Sequence, residues 1–242
     1  GLNGTDVAKN ASDMILTDDN FVTIVEAVKH GRNIFDNIKK AVHFLIATNI
    51  GEIVTIFVGL LLGLKSPLLA IQLLWINLVT DSFPAIALGL EPPEKNIMNK
   101  KPRGINKPLF TPFIKSCIAS SAIIETIFVV LTYFISLKMY GQETAMSLAL
   151  LSMVVQEIVY SISCRNLKES VVKQGLFSNK AMNYGLLLIL LIELIVFVTP
   201  IGKLISVTSI DISLILIVFL INFMAIFIYE LIKPFLAKWF KD

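Results

Sequence analysis

The run Leu68-Leu69-Ala70-Ile71-Gln72-Leu73-Leu74-Trp75-Ile76-Asn77-Leu78-Val79-Thr80-Asp81-Ser82-Phe83-Pro84-Ala85-Ile86-Ala87-Leu88-Gly89-Leu90 holds a single charged side chain, Asp81. It is long enough to cross a bilayer, because a hydrocarbon core of roughly 30 Å needs about 20 mainly apolar residues in helical form. Working outward from 68–90, five further runs of this kind lie at 41–63, 112–137, 144–163, 183–200 and 211–232. The six take up more than half of the chain. In hydrocarbon every backbone N–H and C=O must find a partner inside the protein, so apolar segments of this length are read as helices rather than strands. The sequence therefore predicts an all-α membrane protein, a six-transmembrane-helix bundle.

Composition points the same way: 55% of the residues are hydrophobic and only 16% charged, which a soluble globular domain of this size does not show. The basic residues are unevenly distributed. Lys95, Lys100, Lys101, Arg103 and Lys107 follow the second run, and Arg165, Lys168, Lys173 and Lys180 follow the fourth, whereas the other loops hold Lys65, Lys138 and Lys203 singly. Basic loops stay on the cytoplasmic side, so both chain ends are expected in the cytoplasm. The net charge of +3 is accounted for by this asymmetry, and no nucleic acid is expected as a partner. The lipid bilayer is the partner the composition demands. Cys117 and Cys164, near the ends of membrane runs, read as packing residues rather than a disulfide.

Residues 1–20 are polar and turn-rich, and the chain starts without Met and without the pattern of a signal peptide, so it reads as a piece of something longer. From Thr17-Asp18-Asp19-Asn20 the pattern turns helical, with Asp and Asn placed as caps and Phe21, Ile24, Val25 and Val28 at helical spacing. Residues 21–40 are expected to form a stalk that runs directly into the first membrane helix.

Polar side chains cost some kcal/mol each inside a membrane and are therefore functional candidates. In the first helix Asn49 and Glu52 are three apart, on one face. In the second, Asn77, Thr80 and Asp81 share a face by the same spacing. Glu157 lies in the fourth beside Gln156, and Glu125 and Glu193 lie in the third and fifth. A lone buried Asn or Glu reads equally well as a helix-packing hydrogen bond. Together, Asn49, Glu52, Asn77, Thr80, Asp81 and Glu157 offer three carboxylates, two amide carbonyls and a hydroxyl. These are hard oxygen donors that suit Ca²⁺, with no Cys or His among them to suit a softer metal. Pro84 removes a helix donor and disturbs the carbonyl near Thr80, while Gly51 lowers the cost of local distortion beside Glu52. Carbonyls freed in this way can act as ligands; an ordinary kink and a close helix contact would leave the same residues in the sequence.

A family likeness now emerges. Gly4-Thr5-Asp6-Val7-Ala8-Lys9 and Ala11-Ser12-Asp13-Met14-Ile15-Leu16-Thr17-Asp18-Asp19-Asn20-Phe21 resemble the end of the phosphorylation domain of cation-pumping P-type ATPases. Asn49-Ile50-Gly51-Glu52 and Leu74-Trp75-Ile76-Asn77-Leu78-Val79-Thr80-Asp81 resemble the fifth and sixth membrane helices of calcium pumps of the sarcoplasmic and endoplasmic reticulum type. Glu91-Pro92-Pro93 and Lys101-Pro102-Arg103 extend the likeness, which is strong to about residue 112 and weaker beyond it. Sodium/potassium pumps have Pro at the place of Gly51 and Asp at that of Asn77, which favours calcium. Single-site relatives lack an acid at the place of Glu52.

The resemblance implies that residues 1–20 are the remnant of a cytoplasmic phosphorylation domain, 21–40 a stalk, and 41–242 the C-terminal membrane domain. It implies that Asn49, Glu52, Thr80, Asp81 and Glu157 form one ion site, with Asn77 and Asp81 contributing to a second, and that the transported ion is Ca²⁺. The phosphorylated Asp of D-K-T-G-T, the T-G-E-S loop, the nucleotide site and the fourth membrane helix with its gating Glu are not in this sequence. No catalytic residue is therefore expected here, and the chain alone should not hydrolyse ATP. The partners implied are the N-terminal helices and cytoplasmic domains of the same pump. Mg²⁺ and ATP belong to the full-length enzyme, which would export ions across the cell membrane. Empty carboxylates this deep favour protonation, so proton counter-transport is expected. Glu125 and Glu193 match no family ligand and read as packing or proton-related residues. The competing readings are another P-type cation pump, for Mn²⁺ or Na⁺, and a stand-alone six-helix channel or secondary transporter. The latter would show internal repeats, and none is convincing.

Overall fold

The computed structural model describes residues 1–94, 96–99, 102, 104 and 108–240, and among these it is built of helices and turns, with no strand. Among the described residues six helices are long and apolar enough to cross a membrane: α1 (Phe21–Leu61), α2 (Ala70–Gly89), α3 (Pro112–Tyr140), α4 (Gln142–Cys164), α5 (Lys180–Val198) and α6 (Ile212–Trp239). Of the loop charges that set the expected orientation, Lys95, Lys100, Lys101, Arg103 and Lys107 lie outside the described residues.

Helix α1 begins where the capping pattern placed it, with the Asn20 side chain accepting from the Val22 amide at 3.0 Å. Its 41 residues rise about 60 Å at 1.5 Å each, roughly twice a hydrocarbon core, so one end must stand clear of the bilayer. Residues 21–36 are largely exposed, and from Asn37 onward Lys40, Phe44, Ala47, Thr48, Gly51, Glu52 and Thr55 form a buried face at helical spacing. Residues 21–40 and the first membrane run are thus one continuous helix.

Helix α2 is not regular. Ile76–Thr80 form a π turn, closed by the Asp81 amide on the Ile76 carbonyl at 3.0 Å, and the α-helix resumes at Ser82. Two residues later Pro84 has no N–H to offer the Thr80 carbonyl. Thr111 caps α3 with Pro112 in its first turn, and Gly141, at φ +84°, lets the chain reverse straight into α4. Helix α4 is buried along almost its whole length; α1 packs on α3, α3 and α6 pack on α4, and α5 packs on the second half of α2. Helices α5 and α6 turn Leu187, Leu191, Ile195, Leu216 and Leu220 outward, the surface a lipid chain can cover.

At the stalk end of the bundle one carboxylate ties the helices together. Glu91, just past α2, accepts from Arg165 Nε at 3.1 and 3.0 Å, Arg165 Nη2 at 2.9 Å, Gln174 at 2.8 Å and Asn179 at 2.6 Å. Its backbone carbonyl accepts from Asn37 of α1 at 2.7 Å. Arg165 is wholly buried, so it is a structural ion-pair partner rather than the exposed loop cation its position suggests. Lys168, Lys173 and Lys180, counted with it, are exposed. Cys117 and Cys164 are buried and not joined in a disulfide.

Candidate cation site

The buried face of α1 brings Thr48, Glu52 and Thr55 into the bundle at spacings of four and three, with Asn49 at its edge. Asn49 is half-buried and donates its amide to the Leu45 carbonyl at 2.7 Å, which leaves its own carbonyl oxygen as the group it can offer a cation. Thr48, which the sequence reading passed over, donates to Asp81 Oδ2 at 2.8 Å. Its spacing of four from Glu52 was the available signal.

The π turn decides where the polar groups of α2 point. Asn77 reaches α1, its amide 3.0 Å from each oxygen of Glu52, and Asp81 also faces α1 through Thr48. Thr80 turns the other way, to α5, where its hydroxyl lies 3.4 Å from Glu193 Oε1. The shared face expected for Asn77, Thr80 and Asp81 therefore holds for Asn77 and Asp81 and fails for Thr80. A turn closed by i→i+5 bonds brings residues four apart closer to one direction than residues three apart. Trp75 Nε1 also donates to Glu193 Oε1, at 2.9 Å.

Of the two readings of Gly51, local distortion and a close helix contact, the structure shows the contact. Helix α1 runs through it without a break, and its missing side chain makes room for α3: a Cβ there would lie 2.6 Å from the Glu125 carboxyl carbon. Glu125 is thereby seated against the backbone beside Glu52. Gln156, next to Glu157, is taken up by α6, donating to Asn222 Oδ1 at 3.0 Å and accepting from Tyr229 at 3.2 Å.

Five acids gather in this region: Glu52, Asp81, Glu125, Glu157 and Glu193. The charges of the other four all reach Glu157. Both oxygens of Glu157, with Asp81 Oδ1, Glu125 Oε1 and Glu193 Oε2, are buried with no hydrogen-bond partner among the described residues. A buried polar atom without a partner costs about 1–3 kcal/mol, more when charged. As the side chains stand, no three His, Cys, Asp or Glu among the described residues converge tightly enough to hold a metal ion. Chemically, the cluster is a set of hard oxygen donors with capacity to spare, in helices whose mutual distances set how far the carboxylates stand apart.

The family model described as "Cation transporting ATPase, C-terminus" matches residues 65–235. The chain belongs to this family. A "Calcium-transporting ATPase 1" of Bacillus cereus is 34% identical over 98% of this chain and 28% of its own length. A calcium-transporting ATPase of Listeria monocytogenes is 41% identical over 73% of this chain and 20% of its own. An endoplasmic reticulum-type calcium-transporting ATPase of Arabidopsis thaliana is 51% identical over 47% of this chain and 11% of its own. The chain thus spans only about a tenth to a little over a quarter of the length of such relatives. As the C-terminal portion of a cation-transporting ATPase it is a multi-pass membrane protein, and its buried acids sit in the part of the ATPase that crosses the bilayer.

Proposed function

We propose that this chain is the membrane domain of an ATP-driven calcium pump and supplies most of the oxygen ligands that carry Ca²⁺ out of the cytoplasm. The observation that carries the reading is the set of buried, unpartnered carboxylate oxygens on Asp81 and Glu157, beside an α2 unwound at Ile76–Thr80. Ca²⁺ takes six to eight oxygens at flexible geometry, which carboxylates, amide and main-chain carbonyls and hydroxyls can supply from several helices. Asn49, Glu52, Asp81 and Glu157 hold one ion together with Thr80, which reaches it from the α5 side; Asn77 and Asp81 contribute to the second. Glu193, engaged by Trp75 and Thr80, orients Thr80 and is not itself a ligand. Protons returning on the emptied carboxylates compensate their charge. Mg²⁺, ATP and the phosphorylated Asp act in the rest of the pump, so this chain by itself forms no phosphoenzyme. Both chain ends lie in the cytoplasm, and the pump sits in the cell membrane.

The full-length pump tests this. Asp81→Asn should lose calcium-dependent phosphorylation by ATP, while Glu193→Gln should keep it with a modest rise in the calcium required. A pump whose Asp81→Asn variant still needs calcium for phosphorylation, at wild-type concentration, would refute the site.

A further inference from the structure

Glu125 lies on α3, a helix that none of the proposed ligands occupies, yet its carboxylate is pressed against the α1 backbone between Asn49 and Glu52. Three observations bear on its role. It is 3% exposed, and its Oε1 has no hydrogen-bond partner among the described residues. The notch it enters exists because residue 51 is glycine: a Cβ there would stand 2.6 Å from Cδ and 2.8 Å from Oε1 of Glu125. Its charge is felt at Glu157, together with those of Glu52 and Asp81, so it lies within the same electrostatic cluster. A packing residue gains nothing from a carboxylate here, since an apolar side chain of similar size would fill the space without a desolvated polar atom. The one-sided seating also matters: the glycine notch fixes the carboxylate beside Glu52, while nothing among the described residues satisfies its Oε1.

We infer that Glu125 is a further cation-site residue, a fourth carboxylate beside Glu52, Asp81 and Glu157 that binds the transported divalent cation when it enters, with Gly51 as its seat. The inference rests on the cation-site reading above and extends it to α3. In this arrangement the chain alone brings four acidic side chains to the site, enough to match the charge of two divalent ions. It also gives Gly51 a specificity role: any side chain at position 51 would push the carboxylate off the α1 backbone and away from Glu52.

The test uses the full-length pump, with calcium as the probe and two readouts: equilibrium calcium binding, and the calcium concentration giving half-maximal phosphorylation by ATP. Glu125→Gln keeps the shape of the side chain and removes its charge, so a packing role predicts no change in either readout. We expect a rise of about tenfold or more in half-maximal calcium. Gly51→Ala, which keeps the acid and moves it, should shift calcium dependence in the same direction. The double variant should be no worse than the more severe single one, since both act through one carboxylate. Half-maximal calcium within about twofold of wild type in Glu125→Gln would overturn the assignment. If that variant does not fold, Gly51→Ala decides, and wild-type calcium dependence there overturns it equally. Asp81→Asn, measured alongside, separates the two readings: if it loses calcium dependence while Glu125→Gln keeps it, the cation site stands and only the place of Glu125 in it falls.

Discussion

Glu91 and Glu157 are the same residue type, each only 1% exposed, one just beyond the stalk end of α2 and the other within α4. Around Glu91 the protein supplies a guanidinium fork from Arg165 and the amides of Gln174 and Asn179, all within 3.1 Å. Around Glu157 no described residue supplies a hydrogen bond to either oxygen. The difference separates two uses of a buried acid. A carboxylate saturated by the protein is fastened in one state, and here it joins α1, α2, the end of α4 and the start of α5. One left unsaturated costs several kcal/mol and is retained where something outside the protein completes it.

This contrast can be broken most decisively at Arg165. Removing one partner of a buried ion pair costs about 3–5 kcal/mol, because the other is left charged and dry. Arg165→Ala should therefore lower the thermal stability of the full-length pump more than any single change among the membrane acids. Thermal unfolding of detergent-purified protein measures it; a loss below about 1 kcal/mol would mean the Glu91 cluster is not the fastening described.

Glu157→Gln should behave in the opposite way. It removes a charge that the protein leaves unpaired, so stability should hold or rise, by about 1 kcal/mol. Calcium bound per phosphorylatable pump should nevertheless fall from two ions to one. Stability loss together with unchanged stoichiometry would reverse the roles assigned to Glu157 and Glu91.

The smallest expected effect lies far from both acids, at the start of the stalk. Asn20→Ala removes the side-chain cap on Val22 and should cost about 1 kcal/mol locally. Faster hydrogen exchange in the first turn of α1, with calcium binding untouched, is the outcome that keeps the cap separate from the site. A change in calcium affinity would instead mean that order at the stalk's tip reaches the carboxylates.

How far the site could be read in advance varies from residue to residue. Glu52, Asp81 and Glu157 stand out in sequence because a charged side chain in a long apolar run is conspicuous whatever surrounds it. Thr48 does not stand out, since a hydroxyl is common in membrane helices, and only its 2.8 Å bond to Asp81 reveals it. A 3.6-residue period gives the wrong direction for Thr80, because this stretch is wound as a π turn. Pro84 hinted at an irregularity there without specifying its form. Arg165 was counted as a loop cation because its partner Glu91 is distant in sequence.

Sequence alone determined that this protein is a bundle of six membrane helices, the first of them capped well ahead of its apolar run, and that its acids lie within the apolar runs. Both conclusions depend on local physics: hydrocarbon requires backbone polar groups to be paired internally, and apolar length, caps and charge can be read along one dimension. Tertiary structure decided which acids are satisfied and which are left open, that Gly51 is a seat for Glu125 rather than a point of bending, and that Arg165 is sealed inside an ion pair. Those outcomes depend on which side chain from another helix arrives within about 3 Å, a matter of helix crossing and rotation that no stretch of sequence contains by itself.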